Sequence, residues 1–232
     1  MKVASSKPYE LAFLNGDILG DIEDEQQIID HVLTPCTELF AGRIPMVYVR
    51  GNHETRGKFA RMLANYVGLF EGRFYRSFDH GPVHFVVMDS GEDKADNDKE
   101  YNGLADFDRY RTEQQVWLKK EIRSEAFRKA AFRIAIIHIP LYGSDGHGPT
   151  DCQTKWGPLM TQGKVDLLIS GHTHEYQILW PEAGKHEYPI FIGGKPKAKE
   201  AVVIRVEATR TTLDLTMKRD DGEVVGIYRI EK

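Results

Sequence analysis

Two cysteines in 232 residues, Cys36 and Cys152, are too few and too isolated for a disulfide framework, so two free thiols are expected. Long apolar runs are also missing. The longest, IAIIHIP and VDLLISG, fall far short of the roughly 20 residues a membrane-spanning helix requires. No membrane span is therefore expected. The first ten residues, MKVASSKPYE, lack the apolar segment of a secretory signal. Positive charge is not in excess either: 31 Lys and Arg stand against 35 Asp and Glu, a net charge of −4. Binding driven by phosphate neutralisation needs a basic surface, so no dedicated nucleic-acid patch is expected. Internal repeats and Gly/Ser linkers are absent, and residues 1–232 read as one domain. What is present suffices for a core: 41% of the residues are hydrophobic and 10% aromatic, far from the composition of a disordered chain.

The apolar pattern alternates between strand and helix. Residues 10–15 and 45–50 read as short buried strands that stop at Asn-Gly-Asp and Gly-Asn. Between them, residues 23–40 have helical spacing interrupted by Pro35. Residues 57–67 also read as helical. Residues 73–79 and 83–89, separated by Gly81-Pro82, predict a hairpin. The polar stretch 91–110 reads as a long loop, and 112–129 as an amphipathic helix with Thr112 as N-cap. Residues 133–139 and 165–170 are two more buried strands, with 141–157 read as a loop. Beyond residue 176 only strands are expected, at about 176–180, 188–192, 200–207, 210–217 and 224–230, alternating as an antiparallel sheet does. The fold class that follows is α/β, with two mixed sheets packed face to face and helices outside, an α/β/β/α sandwich.

Each central strand ends in a small polar group: Asn15-Gly16-Asp17, Gly51-Asn52-His53-Glu54, His138-Ile139-Pro140 and Gly171-His172-Thr173-His174. In open α/β sheets, ligand sites lie beyond the carboxyl ends of the strands. Four strands would thus aim Asp, Asn and His side chains at one edge. One carboxylate, one amide oxygen and several imidazoles, without thiolate, suit Mn, Fe, Zn, Ni or Co. A carboxylate can bridge two ions. His172 and His174 lie about 6.5 Å apart if the chain is extended at about 3.3 Å per residue, and at a turn they could serve two neighbouring ions. Taken singly, His138 could equally be a hydrogen-bonded core residue and Asp17 a turn residue. His80, His84, His147 and His186 are read as structural.

These strings, in this order, resemble the motifs of the calcineurin-like metallophosphoesterases. The likeness is greatest to bacterial phosphohydrolases of the purple-acid-phosphatase type, and MDSGEDKADND at 88–98 and YNGLADFDRYRTEQQVWLKKEI at 101–122 resemble the intervening region of that group. The resemblance implies a phosphoester hydrolase acting on a phosphorylated small-molecule or macromolecular substrate through divalent metal ions, two in a complete site. Asp17 would bridge the ions. Asn52, His138 and His172 would complete the shell of the second, and His174 would ligate the first. His53 would stand outside the metal shell as general acid, and Arg56 could contact phosphate.

Two departures from the family pattern stand out. The family's Asp-x-His pair upstream of Gly-Asp has no counterpart in the sixteen residues before Asp17, so the first βα unit and two ligands of the first metal are expected to be missing, with one ion held here. The acidic residue usual three positions after Asp17 is Gly20, with Asp21 beside it. A reading from another class is a catalytically inactive module that holds one metal or a phosphorylated ligand.

Overall fold

The computed structural model describes residues 7–195 and 197–232. Its centre is a six-stranded mixed sheet in the order β3-β4-β5-β6-β8-β7, comprising β3 (Arg76–His80), β4 (Val83–Met88), β5 (Phe132–Ile137), β6 (Leu167–Ser170), β7 (Gln177–Leu179) and β8 (Ile190–Ile192). Strands β4, β5, β6 and β8 run parallel, and β3 and β7 close the edges antiparallel. The facing layer is built from a parallel pair, β1 (Ala12–Asn15) with β2 (Met46–Val49), and an antiparallel three-stranded sheet of β9 (Val202–Ala208), β10 (Thr212–Arg219) and β11 (Val224–Glu231). The sandwich expected from the sequence is present.

Three apolar layers hold it together. Val47, Val49, Phe85, Val87, Ile134, Ile136, Leu213, Leu215 and Met217 fill the space between the sheets. On the outer face of the six-stranded sheet, the helices Phe107–Glu121, Glu125–Lys129 and His147–Gln162 bury Leu118, Phe127, Cys152, Trp156 and Met160. On the outer face of β1 and β2, Ile22, Ile28, Val32 and Leu63 pack around Tyr48. Alternation along the strands makes this possible, because successive side chains serve opposite faces. Both cysteines are buried and free. Among the described residues no helix is long and apolar enough to cross a membrane.

Several expectations are corrected. Pro35 does not interrupt the helix at 25–41. Helical turns continue through it, with π-helical turns at Ile29–Leu33 and Thr37–Ala41 on either side. A wider turn relieves the clash of the proline ring with the preceding carbonyls and absorbs the missing N–H. The helix expected at 112–129 starts at Phe107. Its first amides, of Phe107 and Asp108, donate to the Asp96 carboxylate at 2.8 and 3.0 Å, while Thr112 Oγ1 merely donates to Asp108 O within the helix. It ends at Glu121, and Ser124 caps a separate helix by accepting from Phe127 N–H. Residues 147–162, in a stretch read partly as loop, form a helix whose residues 152, 156 and 160 share one buried face. Pro149 lies in its first turn, where N–H groups lack intrahelical partners anyway. The tail is not one antiparallel sheet: β7 and β8 join the six-stranded sheet, and β8 lies parallel to β6.

Far from the strand ends named above, buried His84 links two elements. Its Nδ1 lies 2.6 Å from Asp79 Oδ1 and its Nε2 3.1 Å from Glu121 Oε1. Burial opposes its charging, but the carboxylates of Glu121 and Asp79 outweigh this and raise its pKa. Such a group stabilises the fold at and below the unfolded histidine pKa of about 6.5, and this is lost as pH rises through the raised value. His84→Gln should therefore lower the melting temperature more at pH 6 than at pH 9. A thermal melt series showing the same difference at both pH values would contradict this.

Candidate metal centre

Strands β5 and β6 are parallel neighbours, so their carboxyl ends lie side by side. The Gly171 N–H donates to His138 O at 2.9 Å and ties the two exits together. The parallel pair β1–β2 brings Asn15 level with Val49 in the facing layer. The four polar segments named from the sequence meet here because all four strands end at this edge.

Glycine is required at two of these exits. Gly16 has φ 71°, and a Cβ there would overlap His138 Nδ1 and the Gly51 backbone. A Cβ on Gly51 would overlap Asp17 Oδ1 and N. Three non-glycine residues nearby also take left-handed backbone conformations: Asp17 at φ 52°, His172 at 71° and His174 at 62°. Each costs on the order of 1–3 kcal/mol and persists only where the surroundings over-determine it. All three are residues proposed from the sequence as ligands.

The side chains of Asp17, His138 and His172 converge, each offering a ligand atom within 4.8 Å of the others'. Asn52, 2% exposed, joins them with Oδ1 3.0 Å from His172 Nδ1. His138, 1% exposed, donates its Nδ1–H to Asn15 O at 2.8 Å. A carbonyl can only accept, so this bond fixes the tautomer and leaves a lone pair on Nε2. That Nε2 has no well-angled hydrogen-bond partner, although Asp17 Oδ2 lies 3.0 Å away. Two acceptors facing each other at this distance need a cation between or beside them, either a proton or a metal ion. Burial opposes charging of His138, but the Asp17 carboxylate raises its pKa. Burial likewise raises that of Asp17, yet the interactions with His138 and the bond from His53 N–H outweigh it and bring the value below the usual range. For His172, burial and the neighbouring His138 lower the pKa, so its lone pair is available. The mixed N/O donor set fits the divalent ions expected from the sequence.

The other expected residues sit differently. The His53 N–H donates to Asp17 Oδ1 at 3.1 Å, and its half-buried ring begins the 3₁₀ turn His53–Thr55. His174 is exposed and outside the converging group. Arg56 is not free: its Nε and Nη2 donate to Glu92 Oε1 and Oε2 at 2.8 and 2.7 Å. Glu92, 1% exposed, also accepts from Thr55 and Tyr101, so it fastens the segment after His53 to the loop beyond β4. Sequence reasoning assigned nothing to Glu92, Asn15 or Glu54. For Glu54 the only signal was its place in the Gly51–Glu54 string; for Glu92, an acidic residue in an acidic loop, there was none.

Residues 2–176 match the calcineurin-like phosphoesterase family. Over 206 residues the chain is 25% identical to human acid phosphatase type 7, covering 81% of this chain and 44% of that protein. Over 147 residues it is 24% identical to Arabidopsis thaliana purple acid phosphatase 18, covering 57% of this chain and 30% of the relative. The chain thus spans less than half the length of these relatives. Among solved structures, purple acid phosphatase PPD1 from yellow lupin seeds shares the fold with a TM-score of 0.64 and 15% identity, over 96% of this chain and 46% of that one. GAP50, described as the anchor in the inner membrane complex of Plasmodium, shares it with a TM-score of 0.56 and 14% identity, over 96% and 78%. With three quarters of its length matched by the family, the chain belongs to the calcineurin-like phosphoesterases.

Proposed function

We propose that this chain carries a divalent-metal centre for phosphoester hydrolysis, held by Asp17, Asn52, His138 and His172. The observation that carries the reading is the buried acceptor His138 Nε2 lying 3.0 Å from Oδ2 of the half-buried Asp17, with Asn52 and His172 beside them. When bound, such ions neutralise phosphate charge and lower the pKa of a water that attacks phosphorus in line. The chain's own residues supply the rest. Asn15 O orients His138. The His53 backbone holds Asp17 Oδ1, and its imidazole protonates the departing oxygen as general acid. A phosphorylated small molecule or macromolecule is the substrate class. The relatives named acid phosphatases support this reading.

One observation favours a second reading. Asp17 and His174 are the donors proposed for a first ion, and His174 is exposed and outside the cluster. A chain that holds metal but turns over no ester would be an inactive metal- or phosphate-binding module, and the GAP50 likeness is to a protein named as an anchor. A panel of aryl phosphates, alkyl phosphates and diesters separates the two. The hydrolase reading expects turnover that falls at least about 10²-fold on chelation and returns with Mn²⁺, Zn²⁺ or Fe²⁺, as metal-assisted chemistry requires. Bound metal with no turnover of any ester would establish the inactive module.

A further inference from the structure

We propose that Glu54 is the positioning residue of this centre, a buried carboxylate that clamps the segments bearing Asp17 and Asn52 into the geometry that takes up metal. The proposal rests on the reading of Asp17, Asn52, His138 and His172 as ligands. Glu54 is fully buried and accepts five hydrogen bonds. Its Oε2 takes the N–H groups of Gly51 and Asp17 at 2.8 and 2.9 Å. Its Oε1 takes those of Ile18 and Leu19 at 2.7 and 3.0 Å, and the Tyr48 hydroxyl at 2.8 Å.

Three consecutive amides, 17 to 19, therefore converge on one carboxylate. They belong to the turn in which Asp17 takes φ 52°, a conformation that the surroundings must enforce. Charge-assisted bonds from backbone N–H groups are the strong kind, and here they replace the water a buried carboxylate would otherwise need. The Gly51 N–H lies on the exit of β2, immediately before Asn52. One side chain thus fixes the β1 exit, with Asp17, to the β2 exit, with Asn52. Glu54 itself does not point at the ligand atoms; it acts through the backbone of the residues that do. Tyr48 anchors it from the strand side, and burial followed by the Glu54 charge raises that phenol's pKa.

All five partners are donors, which makes Glu54→Gln a sharp probe. The amide is isosteric, but whichever way it lies its NH₂ faces at least two N–H donors and loses those bonds. Calorimetric titration of the metal-stripped protein with Mn²⁺ should show a Kd about 10–100-fold higher in Glu54→Gln, the usual cost of losing a group that orients a ligand. In the metal-free state, amide hydrogen exchange at residues 17–19 should accelerate more than at 134–137 in β5. Phe127→Leu, a core truncation at the opposite end of β5, is the control for lost stability alone. It should lower the melting temperature without changing the Mn²⁺ affinity. Should Glu54→Gln fail to fold, Glu54→Asp keeps the charge on a shorter arm and should bind Mn²⁺ more weakly than the natural chain. Unchanged affinity in the folded variant, or a loss equalled by Phe127→Leu, would overturn the proposal. If the natural chain takes up no Mn²⁺, Zn²⁺ or Fe²⁺, the reading of the ligands has failed instead, while the exchange rates at 17–19 still report on the clamp.

Discussion

His53→Ala should leave bound metal intact and slow hydrolysis of an alkyl phosphate by about 10²–10⁴-fold, the usual contribution of general acid–base catalysis. Metal should be retained because the contact of His53 with Asp17 is through the backbone: its N–H donates to Oδ1 at 3.1 Å, and alanine keeps that N–H. What is lost is the imidazole. An alkoxide leaves poorly unless protonated, whereas an activated aryl oxide hardly needs the proton. The loss should therefore be large for alkyl esters and small for activated aryl esters. Steady-state kinetics of both substrates at constant metal occupancy tests this. Equal losses would leave His53 as a charge-stabilising residue, and a fall in bound metal would make it a ligand.

The resemblance in the sequence assigned Arg56 to phosphate, and two sides of its guanidinium are held by Glu92, which raises its pKa further. On the proposed reading, ions held by Asp17, Asn52, His138 and His172 would also attract the phosphate to this edge. This makes the metal central to the account, for binding as well as for chemistry.

The converging side chains were legible in the sequence because glycine and histidine mark them. Gly16, Gly51 and Gly171 end apolar runs, and a strand that stops at glycine before a polar residue points to the edge of a sheet. The sandwich was legible too, through alternation in β9 to β11. The helix at 147–162 was not. Gly148, Pro149 and Gly157 lie in the stretch read as loop, yet burial of Cys152, Trp156 and Met160 against the six-stranded sheet outweighs their poor propensity. The start of the helix at Phe107 was hidden because its cap, Asp96, lies eleven residues upstream. Glu54 was visible as a letter but not as a role, since its function is to accept bonds from a strand exit 35 to 37 residues away. Such pairings exist only after the sheets assemble.

The claim that Asp17, Asn52, His138 and His172 form one metal centre is tested most directly by removing a donor and counting ions. His172→Ala keeps the Cβ and hence the backbone strain at φ 71°, but it takes away one of four ligands. Binding should weaken by more than the 10–100-fold typical of an outer residue, enough to empty the site on dialysis, with turnover falling alongside. Elemental analysis after exhaustive dialysis against metal-free buffer should then find one tightly held divalent ion per natural chain, one in His53→Ala and none in His172→Ala. No ion in the natural chain, two tightly held ions, or an ion retained in His172→Ala would contradict it.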